Sequence, residues 1–261
     1  MTTAVQGPVE AADALWRAID NIEGWLHPME AWVLHEEVCQ IDRVAPVVVE
    51  IGSWKGRSAV ALGLAVKRRG AGHVTAIDPQ EDPERRSEYY ANLERAGVAD
   101  VVTTLELLSH DARAQFGPAS VDVLWIDGSH EWPDVVQDVE DWTPTLTDGA
   151  VVAFNDPWTY GVNHVLRDRV ASRGGPFRNP RWVVNSVVVD HRPNAPWTRI
   201  DERARQRFLA FLLSGRQYRK LYDRAQGASR FRAASDAVHL RLAYPVLKRV
   251  LPESRFVAAL S

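Results

Sequence analysis

A chain of 261 residues, 46% hydrophobic and 25% charged, has room for one large globular domain or a domain with an appendage. No apolar run approaches the roughly 18 residues of a membrane span, and the N-terminus lacks the basic-then-apolar order of a secretory signal, so the expectation is a cytoplasmic protein without a membrane span. The single cysteine, Cys39, excludes an internal disulfide and a cysteine-built zinc site. The net charge of −3 conceals an asymmetry: from Arg199 onward 14 Lys and Arg stand against 5 Asp and Glu, and the remainder carries 17 against 29.

In chain order, residues 10–43 read as two helices around NIEGWLHPMEA, punctuated by Gly24 and Pro28. Apolar runs then alternate with amphipathic segments. VVVEI (47–51) leads into a helix from about Gly56 to Arg69, and HVTAID (73–78) into a helical segment around Glu84 to Ala96. VVTTLEL (101–107) precedes a short segment, and VDVLWID (121–127) a helix from about Pro133 to Leu146. AVVAFND (150–156) precedes a helix near Val162 to Ser172, and WVVNSVVVD (182–190) closes the series. Such alternation predicts an α/β fold with a mostly parallel sheet covered on both faces. Past the Pro-rich DHRPNAPW, Phe208, Phe211, Leu212, Tyr218, Leu221 and Tyr222 recur at helical spacing among arginines, and DAVHLRLAYPVLKRVL follows. The expected organisation is an N-terminal helical cap (1–45), a core (46–192) and a basic helical extension (193–261).

In a doubly wound sheet, ligands bind beyond the carboxyl ends of the strands. The residues found there are Gly52, Asp78, Asp127 and the pair Asn155–Asp156, polar and largely acidic. Gly52 permits a sharp turn and close approach of a ligand to the backbone. The corner reads E-x-G-x-x-x-G with Gly52 and Gly56 alone; it lacks the third glycine of the dinucleotide fingerprint, and Lys55 stands on the wrong side of Gly56 for a phosphate loop. A ligand without a pyrophosphate is therefore favoured. Asp78, 26 residues after Gly52, can accept both hydroxyls of a ribose or cap the following helix. Asp111 can accept from an adenine amino group. Asp127 ends the fourth run, and Asn155 and Asp156 end the fifth, 28 and 29 residues later. With neighbouring strands about 4.8 Å apart, these oxygen donors can converge on a hard cation such as Mg²⁺ or Mn²⁺. His130, about one helical turn past Asp127, would set an imidazole beside it. The alternative is a capping Asp127 with a surface histidine.

The stretches VVVEIGSWKGRSAVAL, VTAIDP and VDVLWIDGSHEWPDVVQDVEDWTPTLTDGAVVAFNDPW resemble class I S-adenosylmethionine-dependent methyltransferases, and more closely the DG-x-H branch containing metal-dependent sugar O-methyltransferases. The similarity runs from about Gly24 to Asp190. It implies a Rossmann-like, doubly wound, seven-stranded sheet, with EGWLHPMEAW lying over the cofactor. It further implies that Glu50, Gly52 and Ser53, with Ser58, hold the methionine portion of S-adenosyl-L-methionine, Asp78 the ribose and Asp111 the adenine. Asp127, Asn155 and Asp156 would be the Mg²⁺ ligands and His130 the general base. Relatives often carry two acids where this chain has Asn155–Asp156; the amide lowers the negative charge offered to a cation.

The expected acceptor is a hydroxyl of a sugar or oligosaccharide, with a catechol-like phenol as the alternative; Trp25, Trp54, Trp132 and Trp158 all fall in segments expected to border the site. A nicotinamide-dependent dehydrogenase would share the sheet and Asp78 without needing the later acids. The basic extension suggests a homodimer formed through the helical tails. A non-catalytic scaffold that presents the tail to an acidic partner is the other reading, and no nucleic acid partner is expected.

Overall fold

The computed structural model describes residues 8–224. Helices α1 (Pro8–Ile19) and α2 (Pro28–Gln40) come first. Pro28 suits the first turn of α2, where its missing N–H is not needed, and His27 and Glu30 cap it reciprocally. Met29 N donates to His27 Nδ1 at 3.2 Å, and His27 N donates to the Glu30 carboxylate at 2.8 Å. The alternating region follows as β1 (Val47–Ile51), α3 (Arg57–Arg69), β2 (His73–Ile77), α4 (Pro83–Arg95), β3 (Val102–Leu105) and α5 (Ser109–Ala112). It continues with β4 (Val121–Ile126), α6 (Trp132–Trp142), β5 (Leu146–Asn155) and α7 (Tyr160–Val165), which widens into a π-type turn over Leu166–Val170. β6 (Phe177–Val183), β7 (Ser186–His191) and α8 (Arg199–Arg224) complete the described chain.

The seven strands lie in the order β3-β2-β1-β4-β5-β7-β6. The first five are parallel, β7 runs antiparallel to β5, and β6 antiparallel to β7. The sheet is therefore Rossmann-like and doubly wound. Chain order reverses between β1 and β4, which opens a crevice at their carboxyl ends. Alternating side chains divide the core into two layers. Val48, Val123 and Trp125 pack with α1, α2 and α3 on one face; Val49, Leu124 and Ile126 pack with α6, α7 and α8 on the other.

Three expectations need correction. WVVNSVVVD is not one strand but the end of β6, a turn at Val184–Asn185 and most of β7. The turn carries no glycine, and Val184 adopts a left-handed φ of +51°, which β-branched residues rarely take. The helix expected to reach Leu146 ends at Trp142, because β5 begins already at Leu146. The apolar stripe of α8 is largely spent on its own body: Phe208 and Leu212 are buried in the second core layer, and Phe211 stacks on Trp182 at 4.3 Å. The side chains of Tyr218, Leu221 and Tyr222, and the segment DAVHLRLAYPVLKRVL, lie outside the described residues.

Candidate active site

The corner after β1 is held shut by an acid from the neighbouring strand. Gly52 has φ +86° and donates its N–H to Ile77 O at 2.8 Å. A Cβ at Gly52 would stand 2.2 Å from the carbonyl oxygen of Asp127, so no other residue fits between the β1 and β4 ends. Asp78 accepts the N–H groups of Ser53 and Trp54 at 3.0 Å each and that of Gln80 at 2.9 Å. Glu50, one residue before the end of β1, points to the α3 face and is fully buried. Its Oε2 accepts the Ser53 hydroxyl at 2.7 Å, its Oε1 has no partner, and burial pushes its carboxyl up to about 8.

A cavity of about 560 Å³ opens over this corner. Gly52, Ser53, Ser58, Asp78, Asp127, His130, Asn155 and Asp156 all line it. Gly24, Trp25 and Leu26 line it from the segment before α2. Glu50 is not on its wall and lies beneath, touching it through Ser53. Asp111 is not on the wall either: the single turn of α5 leaves it 57% exposed and 3.3 Å from His110, while Ser109 and His110 face the cavity. Trp25 and Trp54 stand on the wall with ring centroids 5.5 Å apart, and the Arg85 guanidinium lies 4.8 Å over Trp54. Trp132 and Trp158 are not lining residues; Trp158 packs on Phe211 at 4.7 Å.

At the β4 and β5 ends the side chains form a chain of contacts. Asn155 Nδ2 donates to Asp127 Oδ1 at 2.8 Å. His130 sits with one ring nitrogen toward each acid, Nε2 3.7 Å from Asp127 Oδ1 and Nδ1 3.7 Å from Asp156 Oδ2. Those distances are too long for hydrogen bonds, and buried Nε2 has no partner. The contact with Asp127, with Asp156 adding to it, holds the imidazole above its ordinary pKa, and burial pushes Asp127 above the usual carboxylate range. Behind the imidazole, Gly161 of α7 abuts the same loop: a Cβ there would lie 2.2 Å from the His130 carbonyl oxygen.

Several wall residues carry no signal in the sequence motifs. Arg57 opens α3 and reaches the cavity, with Nη1 bonded to Ile22 O at 2.6 Å and a buried Nε that has no partner. Asp138 of α6 is buried, accepts the Ser109 hydroxyl and is pushed up to about 6 by its burial. Arg57 directly follows the second glycine and could have been noticed for that; Asp138 lies mid-helix, where only the fold reveals which side it occupies.

Residues 49–157 match the family model described as a methyltransferase domain, and the sheet order is that of a Rossmann-like fold. Among curated proteins, the uncharacterized protein R132 of Acanthamoeba polyphaga mimivirus is 25% identical over 148 residues, 50% of this chain, and the chain spans 63% of that relative's length. Cofactor-bound Rv0187 from MTB shares the fold with a TM-score of 0.56 at 20% identity, covering 72% of this chain and 92% of that one. The O-methyltransferase TomG from Streptomyces achromogenes, involved in tomaymycin synthesis and solved in complex with SAM, gives 0.52 at 19% identity, covering 72% and 90%.

Proposed function

We propose that this protein transfers a methyl group from S-adenosyl-L-methionine to a hydroxyl, with His130 as general base. One observation carries the reading: His130, whose Nε2 has no hydrogen-bond partner, lines the same cavity as the Gly52 corner. The corner fits an amino-acid ligand. The orphaned Arg57 Nε suits a carboxylate, and Asp78, which already accepts three N–H groups, keeps about one acceptor site for a ribose hydroxyl. When bound, the cofactor supplies an electrophilic methyl group. Ser109 and Asp138 take the place at the adenine end expected of Asp111.

His130 accepts the hydroxyl proton at Nε2. The imidazolium that forms lies between two carboxylates, and Asp156 opposite Nδ1 balances its charge. General bases of this kind contribute typically 10²–10⁴-fold, and holding the reacting groups in line supplies further acceleration. The donor set of Asp127, Asn155 and Asp156 suits Mg²⁺ or Mn²⁺ in kind, three hard oxygen groups on one wall. Asn155 turns its NH₂ on Asp127, so a cation there requires the carboxamide to present Oδ1 instead. Such a cation would act as a Lewis acid on the hydroxyl.

Trp25 and Trp54 offer flat faces at the cavity, which favours a sugar or a phenol as the acceptor. TomG, an O-methyltransferase of natural-product synthesis, supports a small-molecule acceptor by analogy. The expected homodimer is retained with less support, since Phe208, Phe211 and Leu212 already pack on their own body. The decisive experiment is a two-part assay. S-adenosylhomocysteine, and not NAD, should raise the melting temperature, and labelled S-adenosylmethionine should mark an acceptor in glycan and phenol pools, with and without EDTA. Stabilisation by NAD alone would replace this reading with a dehydrogenase.

A further inference from the structure

The acid opposite His130 Nδ1 is held by residues that the matched domain does not contain. Asp156 takes a left-handed φ of +51° and donates its N–H to Asn185 O at 2.9 Å. Asn185 Nδ2 returns a bond to Asp156 Oδ1, leaving Oδ2 toward the imidazole. The turn that carries Asn185 is itself pinned. Glu30 of α2, fully buried, accepts Asn185 N–H at 2.8 Å and the Ser186 hydroxyl at 2.6 Å on the same oxygen, Oε1. Its Oε2 accepts the His27 N–H that starts the helix. A continuous path therefore runs from the start of α2 through the β6–β7 turn to the carboxylate beside His130. Two left-handed non-glycine residues, Val184 and Asp156, flank it; such backbone persists where its surroundings over-determine it.

We infer that Asn185 and Glu30 are positioning residues for Asp156, so that the N-terminal helix and the β6–β7 turn together build one wall of the reaction site. This rests on the reading of His130 and Asp156 as reaction groups. Asn185 supplies direction: without its amide, Asp156 is free to turn toward solvent. Glu30 supplies rigidity: its buried carboxylate fixes where the turn, and hence Asn185, stands relative to β5.

The test is the ¹⁵N spectrum of the His130 ring at fixed pH, in EDTA with S-adenosylhomocysteine present, in the full-length protein. Asn185→Ala should shift the ring nitrogens most of the way to their positions in Asp156→Ala. Added to Asp156→Ala, it should move them no further, the non-additivity expected of groups acting through one another. Asn185→Ser keeps a polar turn but is too short to reach Asp156 and should behave like Asn185→Ala, which covers the case in which the alanine variant does not fold. Glu30→Gln should give a partial shift in the same direction. S-adenosylhomocysteine affinity should stay within about twofold throughout. Unchanged ring signals in Asn185→Ala or Asn185→Ser, or equal shifts with and without Asp156, would overturn the inference. Loss of S-adenosylhomocysteine binding by the wild-type protein would instead strike at the proposed function.

Discussion

Single residues here have separable jobs. His130→Ala should keep S-adenosylhomocysteine affinity and lose at least about tenfold in turnover, at the low end of general-base contributions; the check is methyl transfer beside a binding isotherm. Because Asp127 and Asp156 hold the imidazole above its ordinary pKa, turnover should fall with acidification at a midpoint above the usual histidine value of about 6.5. Asp127→Asn should move that midpoint down. Glu50 behaves oppositely in stability. Its folded pKa, about 8, exceeds the ordinary 4.5, so its contribution is complete below about 4.5 and is lost as pH rises toward 8. Glu50→Gln should flatten the melting temperature of the ligand-free protein across that window. Gly52→Ala should abolish S-adenosylhomocysteine binding, since its methyl would overlap the Asp127 carbonyl.

At the scale of elements, the sequence was most readable where one signal dominated. Near-continuous apolar runs marked β1, β2, β4 and β5, and the polar residues just beyond them turned out to share one cavity. Asp127, His130, Asn155 and Asp156 were legible because a parallel sheet brings all its carboxyl ends to one side. Asp111 and Glu50, expected at the adenine and the methionine portion, do not line the cavity, because a short turn and a strand's last residues differ in facing by single positions. β6, FRNPRWV, escaped notice because it is polar, contains Pro180 and lies at the sheet edge, where proline is tolerated. The dependence of the sheet on α8 can be measured: Phe208→Ala should cost about 3–5 kcal/mol, as for other fully buried phenylalanines, read by denaturant unfolding.

For the molecule as a whole, the cavity draws on more than the matched domain. Gly24, Trp25 and Leu26 reach it from before α2, and Glu30 acts on it through the β6–β7 turn. A protein cut to residues 49–157 would retain the glycine corner and lose both supports. Neither contribution could be read from spacing, since Glu30 and Asn185 lie 155 positions apart. The charge asymmetry belongs to this scale as well: of the basic excess of 9 from Arg199 onward, 4 lies past Arg224, outside the described residues.

The missing side chain at position 161 leaves α7 resting directly against the loop that bears the imidazole. One extra carbon there would act as a wedge against the His130 backbone, displacing the imidazole proposed as the base. If His130 is the base, Gly161→Ala tests where it stands apart from how strong it is, which His130→Ala cannot do.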